Sequence, residues 1–172
     1  MPSRTFKNLK DEKKQRITTA LLDEFSQHNL PDAEVARIIK QAEISRGAFY
    51  KYFTDLADAY LYLFAVVMTK IHAPLTDQTS QPTAADYYQM VADFVDRVHR
   101  SPYRDYIRRH FLTNVGVLPL RQTAAPRNDT EWTVMTLCHA TINECFRDPA
   151  GQATALARLK RVLTEKKKKK SS

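Results

Sequence analysis

The sequence predicts an all-helical protein: an N-terminal three-helix helix-turn-helix domain followed by a helical bundle. Three observations carry this. Only three of the 172 residues are glycine. Apolar residues recur at three- and four-residue steps through most of the chain, the spacing that lines one helix face. Runs that alternate apolar and polar residues, as half-buried strands require, are few.

Prolines and polar clusters divide the chain into elements. The first helix is expected over about residues 9–27, with Ile17, Leu21, Leu22 and Phe25 on one face. His28-Asn29-Leu30-Pro31 breaks it, Asn29 being able to take the left-handed conformation of such a turn. Asp32 is the expected N-cap of a second helix carrying Val35, Ile38 and Ile39 inward. After a turn at Glu43-Ile44, Ser45 caps a third helix over about 46–53. Asp55 caps a long fourth helix that ends before Pro74.

Residues 73–83 read as a connector. A fifth helix follows with Tyr87, Val91, Phe94, Val95 and Val98. A sixth starts near Pro102 with Tyr103, Tyr106, Ile107 and Phe111. Residues 119–130 form another loop. Two helices close the chain, about 131–147 and 149–165, with Pro149 in the first turn of the last. These elements group into residues 1–55, residues 56–165 and a Lys-rich tail at 166–172. No internal repeat is present.

Charge narrows the partners. The net charge is +8, and a basic balance favours a polyanion, nucleic acid above all. Five of those eight are Lys166 to Lys170, so the rest of the chain is only mildly basic. The basic start (Arg4, Lys7, Lys10, Lys13, Lys14, Arg16) either lines phosphates or is a solvated leader, interrupted by Asp11 and Glu12. The Lys166–Lys170 run reads as a disordered tail. Met1 to Arg16 contains no secretory apolar region, and the apolar run 61–68 is far short of a membrane span. No membrane partner is expected.

Cys138 and Cys145 lie seven residues apart in a helical stretch, about 10 Å along the axis. They cannot form a disulfide within one helix, which fits a reducing cytoplasm. No metal spacing, phosphate loop, nucleophile elbow or carboxylate pair appears, so no catalytic residue, metal or cofactor is expected. Cys138 and His139 point about 100° apart, and His110 and His139 read as structural or surface histidines.

The strongest local signal runs from Ile38 to Phe53: Ile-Ile-Lys-Gln-Ala-Glu-Ile-Ser-Arg-Gly-Ala-Phe-Tyr-Lys-Tyr-Phe. Two short helices can pack through Ile38, Ile39, Ala42, Ile44, Phe49 and Phe53, with Ala42 and Gly47 small enough for a close crossing. The outer face of the second helix then holds Ser45, Arg46, Ala48, Lys51 and Tyr52 and fits a DNA major groove.

Residues 17–53 resemble the DNA-binding domain of tetracycline-repressor (TetR-like) regulators. Ala42, Ser45, Gly47, Phe49, Tyr50, Tyr52 and Phe53 fall on the family pattern in register. The usual turn glycine is Glu43 here, and Leu56-Ala57 stand where the family commonly has a Lys-Glu-like pair. That leaves phosphate contact by the fourth helix to its N-terminal amides, with Thr54 nearby, or removes it. The resemblance implies DNA contacts by Arg46, Gly47, Tyr50, Lys51 and Tyr52, with Ser45 as contact or cap. It also implies a homodimer on a near-palindromic double-stranded operator, and a small effector that weakens binding. Candidate effector-lining residues are Tyr87, Met90, Phe94, Tyr106, His110, Phe111 and Trp132, although aromatic and methionine residues at helical spacing more often form plain core.

The helix over 131–147 has two apolar stripes, Trp132-Met135-His139-Ile142-Phe146 and Val134-Cys138-Thr141-Cys145. One can face its own domain and the other a second subunit. Charges at Cys138 and Thr141 are therefore expected to give monomers. The leading reading is a repressor released by an effector. A regulator controlled by a protein partner, and a helical small-molecule carrier without DNA function, remain alternatives. The sequence specifies neither the effector nor the operator.

Overall fold

The computed structural model describes residues 2–72, 82–118, 126 and 128–168, with residues 72 and 165–168 given by backbone alone. The connector over 73–81, most of the loop at 119–127 and the end of the lysine run from 169 lie outside the described residues. Every regular element among the described residues is helical. No helix there is long and apolar enough to cross a membrane.

The helices are α1 (Arg4–Lys7), α2 (Asp11–Gln27), α3 (Val35–Ala42), α4 (Arg46–Tyr52), α5 (Leu56–His72), α6 (Ala84–Arg100), α7 (Arg104–Arg109), α8 (Asp129–Arg147) and α9 (Gln152–Lys168). A π turn at His110–Asn114 continues α7. Backbone packing separates two units: residues 1–71 with 102–118, and residues 72–101 with 119–172.

In the first unit, α2 is the central post. Ile17, Ala20, Leu21 and Phe25 are fully buried along one face, the three-and-four spacing that the sequence displays. Ile38 and Ala42 of α3, Phe49 and Phe53, Tyr60, Leu63 and Val67 of α5, and Tyr106 and Ile107 of α7 close the core. The expected inward residues Leu22 and Ile39 are only half-buried.

The start of α3 differs from expectation. Glu34, not Asp32, occupies the N-cap, and its side chain makes no capping bond. Asp32 instead lies in a 3₁₀ turn. The cap comes from a distance. Glu24 of α2 is 5% exposed, accepts the Glu34 amide at 2.8 Å, and pairs with the Arg37 guanidinium at 2.7 Å. Burial alone would raise the Glu24 carboxyl, but the Arg37 and Glu34 hydrogen bonds and the nearby charges outweigh it and hold it below the usual carboxylate value. Asn29 also departs from expectation. Its backbone is extended, not left-handed, and its side chain accepts from Arg109 and Thr113.

In the second unit, α6, α8 and α9 pack together. Thr83 and Asp86 form a reciprocal capping box that starts α6. Val91, Phe94, Val95 and Val98 of α6 meet Ile142, Cys145 and Phe146 of α8 and Ala155, Leu159 and Leu163 of α9 in the buried core. Pro149 precedes α9 and is not in its first turn, because the chain turns over Asp148–Gly151 before Gln152.

α8 corrects the assignment of its stripes. Val134, Cys138, Thr141, Ile142, Cys145 and Phe146 are all buried within this chain, so the inward face takes from both stripes. Trp132, 58% exposed, and His139 fall beyond its edge. Charges at Cys138 or Thr141 would therefore damage the fold itself and cannot report on dimerisation alone. Burial raises both thiols, Cys138 and Cys145, to about 11, which leaves them protonated and unreactive near neutral pH.

Candidate nucleic-acid interface

α3 and α4 form the two-helix motif, and the turn between them carries its one departure in backbone geometry. Glu43 has φ 51° and ψ 50°, a left-handed conformation. It is the only non-glycine residue with positive φ among the described residues. A side chain in that region costs on the order of 1 kcal/mol or more. Arg16 of α2 supports the turn from behind. Its Nε donates to the Ala42 carbonyl at 2.9 Å, and its Nη1 lies 3.4 Å from a Glu43 carboxylate oxygen. Arg16 is thus committed to the turn and is no part of a loose basic leader.

α4 has two faces. Ser45 caps it through the Ala48 amide at 3.1 Å. Phe49, Tyr52 and Phe53 point inward and are essentially buried. Ser45, Arg46, Gly47, Tyr50 and Lys51 are exposed on the other side. Five of the six expected DNA-contacting residues therefore share one accessible surface. Tyr52 does not join them with its ring: it is 5% exposed, lies edge-on to Phe6 at 5.7 Å, and has the Lys13 ammonium over it at 6.0 Å. Tyr50, 50% exposed, stands edge-on to Phe49 at 5.4 Å.

Gly47 is not explained by helix crossing, contrary to expectation. A Cβ built on it would meet nothing within 4 Å. Glycine inside a helix costs about 0.8–1 kcal/mol relative to alanine, so its presence on the exposed face fits close approach by a partner. Gly47→Ala should raise the melting temperature by a few degrees while weakening DNA binding. Thermal melts and binding curves on the same protein check both; a variant that binds DNA as well as the wild type would remove this role.

The N-terminus of α5 offers phosphate little. Asp55 caps it, accepting the Asp58 amide at 2.7 Å, and Asp58 accepts the Thr54 amide at 3.2 Å. Two carboxylates occupy the positions an anion would need.

The seven candidate effector-lining residues divide between the units. Tyr87 and Met90 are half-buried on α6, Phe94 is core, and Trp132 is exposed. Tyr106 and His110 are buried in the first unit, and Phe111 is half-buried there. His110 stacks on Phe64 at 4.2 Å and bonds the Tyr60 hydroxyl through Nδ1 at 3.2 Å. Burial lowers its pKa to about 4, so it is neutral near pH 7. Burial likewise pushes the Tyr60 hydroxyl up to about 12. These are the properties of a satisfied core cluster. An open groove of about 410 Å³ lies between α2 and α5, lined by residues that include Lys14, Thr18, Leu22, Tyr62, Val66 and Lys70, and by none of the seven. Among the described residues no three His, Cys, Asp or Glu side chains are grouped to hold a metal.

Residues 17–58 match the family of bacterial regulatory proteins, tetR family. Among solved structures, the chain is similar to a TetR family transcriptional regulator from Chloroflexus aurantiacus J-10-FL. The TM-score is 0.57 at 22% identity, over 96% of this chain and 94% of that one. No curated protein matches the sequence.

Proposed function

We propose that this chain, TetR-like in its N-terminal domain and in its fold, is a sequence-specific DNA-binding transcription regulator that acts as a dimeric repressor. The observation that carries the reading is the division of α4. Its apolar side chains anchor it in the core, while Ser45, Arg46, Gly47, Tyr50 and Lys51 stand exposed on one face. Residues 1 to about 55 read DNA, and the remainder supplies dimerisation and effector response.

Arg46 suits a bidentate contact to guanine O6 and N7, and Lys51 suits phosphate or guanine. The Tyr50 hydroxyl suits a phosphate oxygen. For the dimer, the outward side of α8 supports a second copy. It presents Trp132, Thr136, His139 and Ala140 to solvent, and an exposed tryptophan is a common anchor of interfaces. Two copies related by a two-fold axis would place two α4 helices on half-sites one DNA turn apart, or a multiple of it. Occupation of a near-palindromic operator would block transcription. A small effector that changed the spacing of the two α4 helices would release it. Of the candidate lining residues, Trp132 aside, the half-buried Tyr87 and Met90 in the second unit and Phe111 in the first are the ones left accessible to an effector.

Selection of bound duplexes from a random library tests the reading. Inverted repeats are the expected product, with sedimentation at micromolar protein giving about twice the monomer mass. Trp132→Glu should return the monomer mass and weaken operator binding while leaving the melting temperature of the fold nearly unchanged. Direct repeats, a lone half-site, or no enriched sequence would overturn it.

A further inference from the structure

Residues 3–7 are built onto the end of α4. The Ser3 amide donates to the Tyr52 carbonyl at 2.9 Å, and the Ser3 hydroxyl donates to the Lys51 carbonyl at 2.8 Å. The same hydroxyl accepts the Phe6 amide at 3.2 Å. The carbonyls at the end of a helix have no partner within it, so Ser3 serves both as the cap of α1 and as a closure of α4. Phe6, 1% exposed, sets its ring 4.8 Å from Tyr62, 4.9 Å from Phe53 and 5.7 Å from Tyr52. A four-residue helix has almost no stability of its own. These contacts hold α1 in place.

The anchoring places charge. Arg4 and Lys7 are exposed on α1, and Lys51 is exposed on α4. Lys13 reaches over the Tyr52 ring. None of these four is in an ion pair among the described residues. The next element supplies the opposite sign, since α5 opens with Asp55 and Asp58. A leader that merely needed to be solvated would not require a buried aromatic ring and two hydrogen bonds to α4.

We propose that α1 is a second DNA contact, in which Arg4 and Lys7, held at the C-terminal end of α4 by Ser3 and Phe6, bind backbone phosphates flanking the groove that α4 enters. This rests on the reading of α4 as the DNA-contacting helix. Phosphate contacts fix position and add affinity without reading sequence. They also release counterions, which makes the contribution measurable.

The experiment compares Arg4→Ala/Lys7→Ala with wild type on the selected operator and on a scrambled duplex, across a salt series. Binding at about 50 mM salt should weaken about tenfold on both duplexes alike, and the log–log salt slope should fall by about 0.9 for each phosphate that is no longer neutralised. Arg4→Lys/Lys7→Arg should bind like the wild type, because phosphate accepts either cation. An unchanged salt slope in the alanine variant, whatever its affinity, would overturn the α1 contact. If Arg46→Ala still abolished operator preference, the reading of α4 would stand without it. A wild-type protein that selects no duplex would overturn both.

Discussion

Arg46→Ala is expected to cost about 1–3 kcal/mol in binding to the selected operator, with little loss on random DNA. Arg46 is the first residue of α4, exposed, and carried by a helix whose other side is locked by Phe49, Tyr52 and Phe53. It forms no ion pair among the described residues. Its removal should leave the fold intact, so the loss would report recognition. Deleting Lys166 to Lys170 should act differently. A polycation releases counterions from any duplex, so its loss should weaken all sequences together and flatten the salt dependence. Binding curves for both variants on operator and scrambled DNA, at several salt concentrations, make the comparison. If the deletion erased operator preference and Arg46→Ala left it intact, α4 would not be the reader.

The parts of this molecule that were legible in the sequence are those held by local rules. The 46–53 helix, its Ser45 cap and its buried Phe49 and Phe53 follow from spacing and cap chemistry alone. Glu43 stands out only through the family pattern, which puts it in the place of a turn glycine; that it takes a left-handed backbone there is a finding of the structure. The parts that were not legible depend on pairs far apart in the chain. Glu24 caps α3 from ten residues away, which no N-cap rule anticipates, so Asp32 took the assignment. Arg16 reads in sequence as one more leader cation, although it holds the Ala42 carbonyl 26 residues away and pairs with Glu43 beside it. Phe6 was the available signal for α1: a single aromatic in a polar stretch has to go somewhere. For α8, two stripes about 100° apart were compatible with either side facing inward. Only the packing of α6 and α9 against α8 shows that the inward face draws Cys138, Thr141 and Cys145 from one stripe and Ile142 and Phe146 from the other.

The same long-range pairing governs how the end of α7 bears on α3 and α4, and Asn114 is its centre. Asn114 is fully buried. Its Oδ1 accepts the Leu30 amide at 3.0 Å, and its Nδ2 donates to the Tyr60 hydroxyl at 3.4 Å. Beside it, Arg109 donates to the Ser26 carbonyl at 2.8 Å and to Asn29 Oδ1 at 3.1 Å, and Thr113 donates to the same Asn29 oxygen at 3.0 Å. The residues between α2 and α3 are thus gripped by side chains of 109–114. Asn114→Ala leaves the Leu30 amide without this acceptor and opens a small cavity, so it should destabilise the first unit by about 2–3 kcal/mol. At roughly 4–8 °C per kcal/mol for a unit of this size, that is a drop on the order of 10 °C or more in melting temperature. Operator affinity measured well below the melting point should also fall, because the connector that sets the position of α3 and α4 loses its hold. The salt slope should not change, since no phosphate contact is removed. Melting and binding curves on one preparation separate the two effects. A variant that melts like the wild type would show that Leu30 and its neighbours are held by other contacts, and the link from α7 to α3 and α4 would have to be sought elsewhere.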